Sequence, residues 1–187
     1  MDTYKLKWTR LQSEIFRLLC IRARQKLNLR EISRFLKVSP TAVSNALLKL
    51  ENNELIKVQK SEKMNLVSVE LNRDSEKAIN MKRVENLKLI YEFGLCEFLF
   101  NEFPGGTIIL FGSYSRGEDV YAEANENRSD IDIAIIGVKE KNPDLTKFNK
   151  MFERKININF YESWGKIHKN LRNNILGGIL LEGGVDI

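Results

Sequence analysis

Cysteine, histidine and proline are scarce in this sequence. Its 187 residues hold two cysteines, one histidine and three prolines. Cys20 and Cys96 lie far apart, each in an apolar helical pattern, and read as reduced core residues. A disulfide framework needs more cysteines, and a zinc site needs closer Cys/His spacing than His168 offers them. No apolar run approaches the ~18 residues of a membrane span. The polar start, Met1 to Arg10, lacks the apolar stretch of a secretory signal. The expectation is a cytoplasmic protein with no membrane partner.

Acidic residues are sparse in the first part of the chain. Residues 1–73 carry 15 Lys/Arg against 7 Asp/Glu, a balance of +8, whereas residues 74–187 carry 15 against 18, a balance of −3. A basic segment of this kind suits a nucleic-acid partner, although ordinary surface charge gives the same balance.

Hydrophobic spacing divides the chain in the same place. Leu11, Ile15, Leu18 and Leu19 recur at helical intervals over Arg10 to Ile21, and Ile32, Phe35 and Leu36 over Leu29 to Leu36. After the break at Lys37-Val38, Ser39 is a natural N-cap with Pro40 at the first helical position. The next helix reaches about Asn52, with Val43, Ala46, Leu47 and Leu50 inward. Two short β-like runs, Ile56 to Gln59 and Leu66 to Leu71, form a hairpin. From Ser75 to Asn101 the pattern is helical, with Ala78, Met81, Val84, Leu87 and Ile90 on one face and an interruption at Gly94. Strands are expected at Thr107 to Phe111, Ile131 to Ile136 and Lys155 to Phe160. Two helical segments follow, Trp164 to Asn173 and Ile175 to Leu181. The domain boundaries are read as 1–73 and 74–187, with a linking helix over 75–101.

Helix, helix, tight turn, helix and hairpin is the order of a winged helix-turn-helix. Residues 10–71, and Leu29 to Lys60 above all, resemble the bacterial and archaeal winged-helix regulators. A recognition helix buries one stripe and shows small polar side chains to the groove. Thr41, Ser44 and Asn45 lie off the apolar stripe, and Asn can pair with adenine. Arg30, Arg34, Lys37 and Lys49, with Lys60 and Lys63 in the wing, are candidates for phosphates of double-stranded DNA. Solvated surface residues would read the same way. Such proteins often pair as homodimers to match two half-sites, and the helix from Ser75 to about Glu92 is a candidate contact.

In the second part, Phe111-Gly112-Ser113-Tyr114-Ser115-Arg116-Gly117-Glu118 follows a strand. Glycine lets backbone approach a phosphate, Ser113 adds a hydroxyl, and Arg116 is a candidate to neutralise phosphate charge. Ser129-Asp130-Ile131-Asp132 opens the next strand. Residues i and i+2 share a face, so Asp130 and Asp132 point together and Ile131 turns to the core. Paired carboxylates repel, and a hard cation such as Mg²⁺ or Mn²⁺ relieves that repulsion. A solvated pair at a strand edge is the plainer alternative.

The segments LFGSYSRGED and SDIDIAII resemble the minimal nucleotidyltransferases of the DNA polymerase β superfamily, over about residues 84–187. The resemblance implies that Gly112 and Ser113 bind the phosphates of an NTP, and that Asp130 and Asp132 are catalytic and hold metal. It also implies a nucleotidyl acceptor on a protein or nucleic acid. Some relatives are antitoxins that modify HEPN-type toxins, so such a toxin is a candidate partner. Two departures stand out. The spacer from Tyr114 to Ser129, at 16 residues, is longer than the family's usual one. The strand that carries the family's third carboxylate has Asn157 and Asn159 instead. Glu162 has the wrong parity, and Glu118, Asp119, Glu123 and Glu126 of the inserted loop are the remaining acids nearby.

The expected fold class is α+β: an N-terminal winged helix-turn-helix, then a nucleotidyltransferase fold with a small mixed sheet flanked by helices. The expected function is a DNA-binding protein that binds Mg–NTP and transfers a nucleotidyl group. The alternatives are a regulator whose degenerate second domain senses nucleotide or binds a partner, and a pair of protein-interaction modules.

Overall fold

A computed structural model of the chain describes residues 7–61, 66–122 and 128–184. Lys63, Glu123 and Glu126 lie outside the described residues. The chain divides into two compact units, residues 1–82 with 120–122, and residues 83–119 with 123–187.

The first unit begins with α1 (Arg10–Ile21), which a capping box between Thr9 and Gln12 starts. β1 (Leu27–Asn28) leads into α2 (Leu29–Leu36), started by a second capping box between Asn28 and Glu31. Lys37 takes a left-handed conformation, φ 54°, which ends α2 and begins the tight turn. The Ser39 side chain then accepts from Ala42 N, and Pro40 opens α3 (Pro40–Asn52) as its spacing predicts. β2 (Ile56–Ser61) and β3 (Leu66–Leu71) form the hairpin, and β1 adds to β3 to give the order β1-β3-β2. Ile15, Leu19, Ile32, Val43, Leu50 and Val69 are fully buried in one core. Val120 to Ala122 join this unit: Tyr121 N donates to Ala23 O at 2.8 Å, and the Arg22 guanidinium lies 4.4 Å from the Tyr121 ring centre.

The unit boundary falls within α4 (Glu76–Glu92). The predicted apolar face of this helix is partly wrong. Met81 and Val84 are exposed, at 36% and 60%, whereas Lys82 and Asn86 are buried. The buried stripe runs through residues 78, 82, 86 and 90 at steady intervals of four, and polar side chains occupy two of its places. Asn86 tolerates burial because its Nδ2 donates to Tyr114 O at 2.9 Å and to Asp119 Oδ1 at 2.8 Å.

Gly94, φ 75°, interrupts the helical region as expected, and α5 (Leu95–Glu102) follows. β4 (Thr107–Phe111), α6 (Gly112–Arg116), β5 (Ile131–Ile136), α7 (Thr146–Phe152), β6 (Ile156–Tyr161), a 3₁₀ turn (Trp164–Lys166), α8 (Lys169–Leu176) and β7 (Ile179–Glu182) complete the second unit. The sheet order is β6-β5-β4-β7, with β5 and β6 parallel and the other pairs antiparallel. It is therefore a mixed sheet with helices against it, an α+β arrangement. Ile109, Phe111, Ala134 and Ile136 pack on Trp164, Ile167 and Ile175.

The segment from Ile175 to Leu181 is not helical throughout, as its apolar run implied. α8 stops at Gly177, and Ile179 and Leu180 pair with Leu110 and Ile109. Gly178 permits this turn: a Cβ there would lie 2.4 Å from Leu110 O. A short apolar run fits a helix or a strand equally well by periodicity, and pairing with the β4 edge decides it.

Candidate functional site

β4 ends at Phe111 and the chain turns at once into α6. Gly112 has φ 77°, and a Cβ on it would lie 2.6 Å from Asp132 Oδ2. Backbone conformation and space both demand glycine there. Ser115 Oγ donates to Gly112 O at 2.8 Å, and Gly117, φ 75°, closes the turn. Ser113 is half-buried beside this loop.

Asp132 lies opposite Phe111 on β4 and opposite Asn157 on β6. Asp130 stands just before β5, and its Oδ2 accepts from Asn157 Nδ2 at 2.8 Å. Burial holds the Asp132 carboxyl above its ordinary value; the Asn157 amide pulls it down, and the charge of Asp130 adds to the effect of burial. Burial, and then the charge of Asp132, also raises the Tyr161 hydroxyl. Gly112, Ser113, Asp130 and Asp132 thus come together at one end of β4 and β5. The carboxylate pair fits a divalent cation: it is crowded, half-buried, rich in oxygen donors, and kept open by the missing Cβ at Gly112.

Of the acids weighed as a third carboxylate, two among the described residues are engaged elsewhere. Glu118 is exposed and pairs with Arg116 Nε at 2.8 Å. Asp119 is buried, and its Oδ2 accepts from Arg154 Nη2 at 2.7 Å and Nε at 3.1 Å. Glu162 is exposed. Among the described residues, no three His, Cys, Asp or Glu side chains are grouped to hold a metal. The side chain on β6 that meets the pair is the Asn157 amide, while Asn159 Nδ2 lies 3.5 Å from Ile133 O. Arg116 bridges to α8, with Nη1 3.2 Å from Asn174 Oδ1.

Sequence reasoning missed a cavity of about 580 Å³ beside Asp130, lined by Arg128, Asn149, Lys150, Glu153 and Lys155, with Arg154 behind them. Its residues form no motif. They come from two separate stretches that resemble ordinary charged surface.

In the first unit, Thr41, Ser44 and Asn45 are exposed on α3, while Val43, Ala46, Leu47 and Leu50 are buried. Arg30, Arg34, Lys37, Lys49 and Lys60 are exposed as well. Lys49 Nζ donates to Lys7 O, and Arg34 Nε to Arg30 O at 3.4 Å. Neither Cys20 nor Cys96 is in a disulfide. No described helix is long and apolar enough to cross a membrane.

Comparison with known proteins follows the same division. Residues 12–63 match the MarR family, and residues 95–172 match the nucleotidyltransferase domain family. Among curated proteins none matches. Solved structures similar to this chain include a cysteine-to-serine variant of Lactococcus lactis ZitR, 29% identical over 55% of this chain and 67% of that one, with a TM-score of 0.41. The same variant in complex with DNA is 28% identical over 56% and 68%, with a TM-score of 0.40. Adhesin competence repressor of Streptococcus pyogenes is 21% identical over 52% and 69%, with a TM-score of 0.40. The chain carries a winged-helix domain of the MarR family followed by a nucleotidyltransferase domain.

Proposed function

We propose that this protein binds double-stranded DNA through its first domain and a metal–NTP complex through its second, and transfers the nucleotidyl group to an acceptor hydroxyl. The observation that carries the reading is the contact between Gly112 and Asp132. The backbone that would receive phosphates stands directly on the Asp132 carboxylate, one of the two that would hold the cation, with no side chain between them. Asp130 and Asp132 would hold Mg²⁺ or Mn²⁺, which supplies charge neutralisation at the phosphates. Gly112 and Ser113 line the phosphate approach, and Arg116 stands at its exposed rim. In the transfer, the acceptor oxygen bonds to the α-phosphorus, the bond between the α- and β-phosphates breaks, pyrophosphate leaves, and the hydroxyl proton passes to water.

On the DNA side, Thr41, Ser44 and Asn45 offer short polar side chains to a major groove. Arg30, Arg34, Lys37, Lys49 and Lys60 flank them as phosphate contacts. A homodimer would match a two-part operator.

A second reading has a specific support. Asn157 presents an amide where a carboxylate would take the hydroxyl proton, which favours a regulator that senses nucleotide without turning it over. Incubation of the pure protein with Mg²⁺ and each α-labelled NTP separates the two, with and without lysate of its own organism and beside the Asp130→Asn, Asp132→Asn double variant. Label incorporated by the wild type and lost in the variant establishes a transferase, and the labelled band names the acceptor, a HEPN-type toxin included. Metal-dependent nucleotide binding with no label transfer establishes the sensor.

A further inference from the structure

The cavity beside Asp130 is lined by neither Gly112, Ser113 nor Arg116. At about 580 Å³ it falls within the ~300–1,000 Å³ of small-ligand sites. Its lining is cationic. Lys150, near the end of α7, and Lys155, just before β6, are exposed. Neither has an ion pair with a carboxylate among the described residues. Arg128 is fixed across the cavity by its Nη1, which donates to Glu153 O at 3.1 Å. Arg154 behind them is neutralised by Asp119, so its charge is already used. Asn149 spends its amide oxygen on Ile156 N at 2.9 Å, which leaves the Nδ2 donor to offer a ligand. The acids on the lining are Asp130 and Glu153. Arg128, Lys150 and Lys155 outnumber these two acids, so the lining is net positive without any bound cation.

Three cations and an amide donor around one cavity have little use for a neutral acceptor such as a sugar or a serine. They match phosphate oxygens, to which lysine is a point charge and arginine a two-pronged donor. We propose that this cleft is the acceptor subsite, and that the acceptor carries phosphate. The subsite rests on the transferase reading, since Asp130 is the residue shared by cleft and carboxylate pair, and an acceptor seated there brings its hydroxyl to the metal–nucleotide site. A phosphorylated small molecule and the end of a nucleic acid share this chemistry.

The test reads binding without nucleotide and without metal. Amide resonances of Asn149, Lys150 and Lys155 in the full-length protein are followed by NMR in EDTA. The probes are uridine 5′-monophosphate and a short single-stranded RNA. The Lys150→Glu, Lys155→Glu double variant changes two exposed side chains and is expected to fold. Shifts centred on the cleft with either probe, and affinity about a hundredfold weaker in the variant, support the subsite, since removing each charge-assisted hydrogen bond weakens binding about tenfold. Tighter binding of the RNA at these resonances identifies a nucleic-acid end; equal binding identifies a small phosphorylated acceptor. Probes that leave the cleft resonances unmoved, or a variant of unchanged affinity, overturn the proposal. Cleft binding in a protein that transfers no label overturns the transferase reading instead.

Discussion

Asn157 is the residue on which the proposed transfer turns. It stands where the parallel register sets it opposite Asp132, and its amide donates to Asp130. An amide cannot take a proton, so a transfer that runs here runs without a general base, a contribution of about 10²–10⁴ in rate. Asn157→Asp restores a carboxylate of nearly the same shape. The expected outcome is a rate of label transfer from α-labelled NTP about a hundredfold or more above wild type in saturating Mg²⁺, with nucleotide affinity little changed. A variant no faster than wild type would sink the idea that position 157 limits catalysis.

Asp132 makes a second prediction at this scale. Its folded-state value lies above the unfolded one, so between the two the native chain holds more protons than the unfolded chain. Stability from this group is therefore full below the ordinary value of 3.8 and is lost as pH rises through the folded value. Asp132→Asn removes the titration. In EDTA, Tm of the variant should match wild type near pH 4 and exceed it at pH 7, while Mg²⁺ should raise Tm of wild type alone. A gap that does not change with pH contradicts the assignment. Both aspartates and the Gly-Ser pair were legible because their constraints are local: two residues along a strand, or one turn of backbone. The cleft was not legible, because surface lysines from separate stretches carry no pattern until the fold gathers them.

Among the elements, those with a periodic apolar face and a cap were readable almost to the residue. α3 begins where Ser39 and Pro40 say it must, and Ser39→Ala should cost about 1 kcal/mol in urea denaturation of the first unit. A cost near zero would mean that the Ser39 hydroxyl does not cap α3. Failures came where tertiary partners override pattern. Apolar positions 81 and 84 turn out of α4 because Asn86 is drawn inward by Tyr114 and Asp119. β7 is a strand because β4 offers an edge and Gly178 lets the backbone reach it.

The start of the inserted segment is likewise an anchor rather than loose polar loop. Asp119 ties Arg154, which precedes β6, to Asn86 and so to the Tyr114 carbonyl in α6. That network joins the glycine turn to the strand that carries Asn157. Asp119→Ala strands a buried guanidinium and should cost about 3–5 kcal/mol. Chemical denaturation of the second unit measures this, and a loss below about 1 kcal/mol would show the pair to be solvated in solution.

For the whole molecule, the uneven charge is the feature most open to measurement. The first 73 residues carry a balance of +8, and Arg30, Arg34, Lys37, Lys49 and Lys60 among them are exposed, as are Thr41, Ser44 and Asn45 on α3. Phosphate contacts and base contacts then separate cleanly in experiment. Each phosphate contact contributes about −0.9 to the slope of log K against log salt on duplex DNA. Arg34→Ala and Lys37→Ala should each flatten that slope by about 1 and weaken all duplexes alike. Asn45→Ala should leave the slope intact and relax discrimination at one base pair by about 1–3 kcal/mol. Fluorescence anisotropy on a duplex first selected for tight binding from a random pool, and on its scrambled form, at several salt concentrations, reads both quantities. If Arg34 and Lys37 were solvated surface only, their loss would change neither affinity nor slope. The DNA would then have to lie on another face of the domain, and the recognition role of Thr41, Ser44 and Asn45 would go with it.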